Sequence, residues 1–297
     1  MHGKLFDNRS GQKDHTVAHP GAPDNADVPI KKLEELAAQG SPFAYFVGFV
    51  EPHPVRWSAL EKRAKYRAFT DLYEPNELEL QGPVMWKGGK QATHESLATA
   101  YGVISYLDHE VGRILRKVKE LKLWDNSIIV FTCADHGHRL GESASGWPGT
   151  RWGKWWPGEV DSHVPLLMRI PGSKSMGAET PSIVERVDLY PTFLELCKLP
   201  LPPQKLEGHS FAQLFETPDR LWKDVAYTGF PREANAHSVV TQTHRLIKTD
   251  QETMLFDLRT DPKGQNNIAG TDPETERKLT ALLERGYAPN WKPDPAR

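Results

Sequence analysis

The fold of this chain is decided by the stretch Ser-Ile-Ile-Val-Phe-Thr-Cys-Ala-Asp-His-Gly-His at residues 127–138. Its first half is a short apolar run without alternation, which is typical of a strand that is buried on both faces. Asp135 and His136 follow at the carboxyl end of that strand, which is where open parallel sheets bind their ligands. A carboxylate oxygen and an imidazole nitrogen can bind one metal ion, although a hydrogen-bonded turn would use the same residues. Both interpretations stay open on this triplet alone.

The neighbouring sequence predicts the rest of a sheet with its helices. Apolar residues in steps of three and four predict a long helix at residues 93–121, and a shorter helix is expected at 30–37, ahead of Gly40. Unbroken apolar runs predict two more buried strands, at residues 43–50 and 164–170. A long helix that leads by a short turn into a buried strand is half of a βαβ unit. We therefore predict an α/β fold with a mostly parallel sheet flanked by helices.

The pattern of apolar residues changes in the last third of the sequence. Short alternating segments predict a small antiparallel sheet, and a last helix is expected at residues 272–286. Asp261 and Asn267 between these segments are typical of turns and caps rather than of catalysis. We therefore predict that residues 1–203 form the α/β domain and that residues 204–297 form a small C-terminal α+β subdomain.

Three local expectations concern residues outside the predicted sheets. Residues 54–92 are mixed in composition and punctuated by Pro and Gly, which indicates an irregular surface excursion. Asp188 is expected to cap a helix over residues 188–199 with its side chain, and Pro191 suits the first turn of that helix. Cys133 and Cys197 each stand in an apolar stretch, so both are expected to be buried thiols.

The composition gives no support to several classes of function. The chain has a net charge of −2, with 38% hydrophobic and 26% charged residues. Such values describe an ordinary globular protein and do not favour binding to nucleic acids or to membrane surfaces. The longest apolar run, at residues 43–50, is too short to span a bilayer. No secretory signal follows Met1, so any signal peptide would lie upstream of this chain.

Two sequence blocks resemble the sulfatase family of the alkaline-phosphatase-like superfamily. Asp135-His136-Gly137-x-x-Leu-Gly-Glu is similar to the family segment in which Asp-His supplies half of a divalent-metal site. Trp-Gly-Lys154, followed nine residues later by His163-Val-Pro-Leu, resembles the next block, whose lysine binds the sulfate. The resemblance therefore implies that Asp135 and His136 hold a metal ion, which in this family is usually calcium.

Other blocks extend the resemblance along the chain. Residues 43–53 resemble the strand and Lys-Pro-His of iduronate-2-sulfatase-like members, and Gly3-Lys4 resembles a Gly-Lys segment whose lysine contacts the sulfate. Residues 187–192 and 254–269 are similar to a helix start and to the C-terminal strand and turn of the family. The resemblance implies that Lys4 and Lys154 neutralise the sulfate and that His53 contacts it or protonates the leaving group. It also implies a sulfated sugar or glycan as substrate and an exported, periplasmic or lysosomal protein.

The family's nucleophile block is not found in these residues. That block is Cys-x-Pro-x-Arg, whose cysteine becomes formylglycine, but Cys133 precedes Ala-Asp-His and Cys197 precedes Lys-Leu-Pro. The paired aspartates of the family's first strand are not found either. We therefore expect a C-terminal portion of a sulfatase that is inert alone. An exposed apolar sheet edge would also favour self-association.

Departures from the family pattern keep other functions open. The family's Lys-Pro-His is Glu51-Pro-His53 here, and its Gly-Glu-His ends in Ser143. Loss of positive charge near an anion site fits a sulfatase of different specificity, a related phosphatase, phosphodiesterase or phosphonate hydrolase, or a non-catalytic remnant. On the simpler interpretation, His53, Lys154 and Lys4 are ordinary loop, surface and terminal residues. His138 and His163 are left without a role.

Overall fold

The computed structural model describes residues 17–18, 25–53, 64–79, 89–133, 136–140, 152–153, 156–230 and 235–286. The chain divides into two compact units, one of Met1–Ser127 with Leu140–Glu142 and one of Ile128–Arg139 with Ser143–Arg297. The predicted domain boundary near residue 203 stays a prediction.

The first unit contains three helices and a short strand pair within the described residues. These elements are β1 (Val17–Ala18), α1 (Asp27–Ala38), β2 (Phe46–Val47), α2 (Ala64–Thr70) and α3 (Gly89–Glu120). The predicted helices at 30–37 and 93–121 are therefore confirmed as α1 and α3. Buried Glu110 on α3 holds the start of α1, since its Oε2 accepts the Ala26 N–H at 2.6 Å.

Helix α2 corrects the prediction that residues 54–92 form an irregular excursion. Tyr66 is 1% exposed and packs against Val103 and Tyr106 of α3. Part of the apolar spacing that predicted α3 is nevertheless not buried, because Ile104 is 44% exposed. The helical spacing in the sequence was correct, but the partner that selects the buried face was not predicted.

The apolar run at residues 43–50 is less regular than predicted. Only Phe46–Val47 is a strand, and it pairs in parallel with β1. The prediction that this run is buried on both faces is wrong, since Phe43, Phe46 and Val50 are exposed. The physical reason is that, among the residues that the structure describes, the run pairs with β1 over two residues and with no other strand.

The remaining strands and helices follow in chain order. They are β3 (Ile129–Thr132), β4 (Arg139–Leu140), β5 (Trp152–Gly153), α4 (Glu159–Ser162), β6 (Leu166–Arg169), α5 (Leu189–Leu196), β7 (Val225–Phe230), β8 (Ala236–Thr241), β9 (His244–Lys248), β10 (Thr253–Asp257) and α6 (Pro273–Gly286). Strands β3 and β6 lie where the sequence predicted them, but the prediction that they are buried is wrong, since Phe131 and Leu167 are exposed. Their pairing is antiparallel, with Ile129 opposite Arg169, so these two strands are not parallel neighbours.

The C-terminal sheet is antiparallel, as predicted, in the order β10-β9-β8-β7. Alternation along its strands produces two different faces. Leu246 and Leu255 pack with Leu279 and Leu283 of α6 on one face. The opposite face carries Ile247, Met254 and Phe256, which pack against Trp156. The sheet is therefore covered on one face by a helix and on the other by the segment that follows β5.

The predicted turn residues of this subdomain do form turns. The Oδ2 atom of Asp261 accepts the backbone N–H groups of Gln265 and Asn266, at 2.6 and 2.7 Å. The Oδ1 atom of Asn267 accepts the N–H groups of Leu255 and Ala269, at 3.1 and 3.0 Å. Their interpretation as turn and cap chemistry is confirmed.

Asp188 occupies the N-cap position of α5, as predicted, but its side chain makes no capping hydrogen bond to that helix. It is fully buried, and its Oδ1 atom accepts the His209 N–H at 2.9 Å. Its Oδ2 atom accepts the Glu185 N–H and Lys223 Nζ, each at 2.8 Å. The predicted side-chain bond to α5 is therefore wrong, because these more distant donors occupy the carboxylate.

The prediction of two buried thiols fails for one cysteine. Cys197 is exposed, because it directly follows the last turn of α5. Cys133 is partly buried at the end of β3. An apolar sequence neighbourhood does not fix the exposure of a residue that ends a helix.

We expect Asp188→Ala to lower the free energy of unfolding by about 3 kcal/mol, because two backbone N–H groups and Lys223 lose a buried acceptor. Urea denaturation followed by circular dichroism measures the change. Glu195→Ala, at an exposed position of α5, is the control and should change stability by less than about 0.5 kcal/mol. Equal losses in both variants would contradict this role of Asp188.

Candidate functional site

The structure describes two of the five predicted site residues. His136 lies in the second unit and His53 in the first. Lys4, Asp135 and Lys154 lie outside the described residues, so their predicted roles stay predictions. The geometry of the site is therefore available for the part around His136 and, separately, for the part around His53.

The ring of His136 is held in one orientation by its neighbour. Its Nδ1 atom lies 2.6 Å from the carbonyl oxygen of Gly137. A carbonyl oxygen can only accept, so the Nδ1 atom is the donor in this contact. Histidines that bind metals through Nε2 commonly donate their other N–H to a backbone carbonyl in this way. The thiol of Cys133 donates to the His136 carbonyl at 3.7 Å and helps to fix the same turn.

Gly137 brings this turn against helix α4. Its N–H donates to the carbonyl oxygen of Asp161 at 2.8 Å. A Cβ atom at this position would overlap the carbonyl oxygen of Val160, so only glycine permits the approach. The third residue of the Asp-His-Gly triplet is thus required by packing, and α4 determines where His136 lies.

Helix α4 is held in turn by a buried arginine of the C-terminal sheet. Arg245 is 2% exposed, and its Nη2 and Nε atoms donate to Oε2 of Glu159 at 2.6 and 3.1 Å. Its Nη1 atom donates to the Pro157 carbonyl at 2.9 Å and to Ser238 Oγ at 3.1 Å. Arg245 was not among the predicted residues, although a charged residue within the alternating segment 244–248 is a visible signal in the sequence.

Glu159 also binds His163, for which no role was predicted. The Nδ1 atom of His163 lies 2.7 Å from Oε1 of Glu159. This hydrogen bond raises the pKa of His163 above its usual range. Burial opposes ionisation of Glu159, but the hydrogen bond from His163 and the charge of Arg245 outweigh it and lower the carboxyl pKa. Glu159 is thus an ionised carboxylate between two cationic partners when His163 is protonated.

The surroundings of His53 explain one departure from the family pattern. The Glu51 side chain is 8% exposed and accepts hydrogen bonds from Lys65 Nζ, at 3.2 Å, and from the Tyr66 hydroxyl. The anion beside His53 is therefore paired with a cation from α2. Lys65 was missed because α2 was not predicted, although Tyr66 and Phe69 have helical spacing.

The described residues contain no complete metal site. No group of three or more His, Cys, Asp or Glu side chains among them could hold a metal ion. The predicted ligand pair includes Asp135, which is outside that set. None of the helices that the structure describes combines the length and the apolar composition that a bilayer crossing needs.

Replacing Gly137 by alanine should force the His136 turn and α4 apart. We expect Gly137→Ala to lower the free energy of unfolding by about 1–3 kcal/mol, which is the usual range for overpacking. Thermal and urea unfolding measure this loss. Gly48→Ala is the matched control, because a Cβ atom there meets nothing within 4 Å. If Gly137→Ala and Gly48→Ala lower the free energy of unfolding by the same amount, the close approach to Val160 is not needed for stability.

The Glu159–His163 contact predicts a specific pH dependence. The raised pKa of His163 adds stability that is complete below the ordinary value of 6.5 and is lost as the pH rises through the folded-state value. The lowered pKa of Glu159 adds stability above its ordinary value of 4.5. The stability difference between wild type and His163→Gln should therefore be larger at about pH 6 than at about pH 8.

Urea titrations at both pH values measure this difference. The control is His209→Gln, an exposed histidine outside the contact, for which no such change is expected. A stability difference for His163→Gln that is the same at both pH values would contradict the ionic contact.

Comparison with known proteins covers most of the chain. The Sulfatase family pattern matches residues 4–199, and the pattern of N-sulphoglucosamine sulphohydrolase, C-terminal, matches residues 151–286. An N-acetylglucosamine-6-O-sulfatase of Bacteroides thetaiotaomicron is 29% identical over 71% of this chain and 38% of its own length. Iduronate 2-sulfatase of Mus musculus is 27% identical over 82% of this chain and 55% of its own.

The fold is shared with solved structures. The phosphonate monoester hydrolase of Agrobacterium radiobacter superimposes with a TM-score of 0.70 at 20% identity, over 87% of this chain and 58% of that one. This likeness confirms the predicted α/β, alkaline-phosphatase-like fold class. The chain spans about half the length of the curated relatives that it matches. Since the Sulfatase pattern covers well over half of its residues, the chain belongs to the sulfatase family.

Proposed function

We propose that this chain supplies one part of an active site that hydrolyses the sulfate esters of sugars or glycans. The observation that supports this most is the His136 turn. Its Nδ1 atom donates to the Gly137 carbonyl, which is the arrangement common in histidines that bind metals through Nε2. Relatives named as N-acetylglucosamine-6-O-sulfatase and iduronate 2-sulfatase support a sulfated sugar as substrate.

The residues around β3 fit a divalent ion, for which the family resemblance suggests calcium. His136 would offer an imidazole nitrogen, and Asp135 would offer a carboxylate oxygen. Bound there, such an ion supplies positive charge to the oxygens around the sulfur and favours ionisation of the nucleophile. The protein's own contribution is to hold the His136 ring, through Gly137 and α4, in one position.

The other proposed residues act on the substrate itself. Lys154 and Lys4 neutralise the sulfate oxygens, as fixed charge near the reacting centre. His53 contacts the sulfate or donates a proton to the leaving alcohol, which an imidazole can do near neutral pH. The 297 residues contain no Cys-x-Pro-x-Arg, so the proposed reaction needs a nucleophile from outside them.

Two rival functions share the same fold. Hydrolysis of phosphonate or phosphate esters is compatible with the likeness to a phosphonate monoester hydrolase, although 20% identity speaks only for the fold. Binding of anions without catalysis is compatible with the same residues. An exported, periplasmic or lysosomal location, and self-association through an exposed sheet edge, also stay predictions.

The activity test compares two polypeptides. We expect the 297-residue chain alone to be inert toward an aryl sulfate in the presence of calcium. The same chain, extended by a segment whose cysteine is matured to formylglycine, should turn it over. In that extended protein, Lys154→Ala should lower kcat by about 10²–10³-fold, as loss of one preorganised charge does.

Controls separate this function from its rivals. Lys205→Ala, at an exposed lysine, should leave kcat unchanged. Faster turnover of a phenyl phosphonate ester than of the aryl sulfate would favour the phosphonate hydrolase. Robust turnover by the 297 residues alone, insensitive to Lys154→Ala and His53→Ala, would show that the proposed site is wrong.

A further inference from the structure

The C-terminal sheet reaches the candidate site through one segment. Trp156 is 6% exposed and packs against Ile247, Met254 and Phe256 on the face of the sheet opposite α6. The next residues are Pro157, whose carbonyl accepts from Arg245, and Gly158, which precedes α4. The apolar contact of Trp156 therefore fixes the distance of this segment from the sheet, and Arg245 fixes its direction.

The hydrogen bonds of the Arg245 guanidinium fix the position of the segment that leads into α4 more than they stabilise the fold. Four hydrogen bonds from its guanidinium reach three acceptors, on Glu159, Pro157 and Ser238. A planar guanidinium makes such a set only in one arrangement, and a lysine ammonium could not reproduce it. A buried ion pair often gives no more stability than apolar residues of the same volume. The fixed geometry of the Arg245–Glu159 pair therefore explains its burial better than a gain in stability does.

A chain of hydrogen bonds connects Arg245 to His136 through α4 and Gly137. Glu159 is the first residue of α4, and the carbonyl of Asp161, two residues later, accepts the Gly137 N–H. The Gly137 carbonyl in turn accepts the His136 Nδ1 proton. We propose that Arg245 is a positioning residue for the metal side of the site, so that the C-terminal sheet sets the orientation of the His136 ring. This inference rests on the proposed metal-binding role of His136.

The test uses the full 297-residue chain and two readouts. Calorimetry measures the Kd for calcium alone, and ¹⁵N NMR of labelled histidines reports which ring nitrogen of His136 carries the proton. The key variant is the double substitution Arg245→Met with Glu159→Gln, which removes both members of the hydrogen-bonded pair and should recover part of the stability that Arg245→Met loses. We expect the double variant to bind calcium about tenfold or more weakly, as loss of an outer-shell partner does. The His136 ring should also lose its fixed Nδ1–H form.

The control is Arg259→Met, which removes a 60% exposed arginine paired with Asp257 in the same subdomain. It should leave both readouts at their wild-type values. Wild-type readouts in the double variant would overturn the positioning role and leave the proposed function intact. A lost Nδ1–H form in the double variant, with no calcium binding even by wild type, would support the positioning role while refuting the metal site. If wild type binds no calcium and the double variant also keeps the Nδ1–H form, both the positioning role and the metal site are refuted.

Discussion

A guanidinium that is buried between a sheet and a short helix needs fixed acceptors, and Arg245 finds them in Glu159, Pro157 and Ser238. Because a charge without partners is costly away from water, the segment from Trp156 to α4 must lie on this face of the sheet. The close approach of Gly137 to α4 follows from that placement. The orientation of the His136 ring therefore depends on a residue more than one hundred positions later in the chain.

A buried charge is also paired in the first unit, at Glu51. The sequence places Glu51 where the family resemblance leads one to expect a lysine, which would leave an anion beside His53. In the structure Lys65 and Tyr66 of α2 both donate to that carboxylate. A cation is thus present at this position, but it comes from a neighbouring helix. The substitution need not make the surroundings of His53 unfavourable for an anionic substrate.

The sequence was informative wherever a pattern is local and repeated. Steps of three and four predicted α3, and alternation predicted the C-terminal sheet with its turns at Asp261. It failed where a distant partner decides. The carboxylate of Asp188 accepts hydrogen bonds from His209 and Lys223 instead of from the backbone of its own helix. The importance of Arg245 could not be predicted either, because its acceptor Glu159 is separated from it by 86 residues and no local pattern connects them.

The C-terminal sheet holds the His136 turn through Arg245 and α4. Amide hydrogen exchange, measured by NMR at Gly137 and at Leu246 in wild type and in Arg245→Met, tests this connection. Exchange requires the amide hydrogen bond to open, so it reports on each contact separately. We expect a slow Gly137 amide in wild type that becomes fast in the variant, while Leu246 in the core of the sheet stays slow. Equal exchange at Gly137 in both proteins would contradict it.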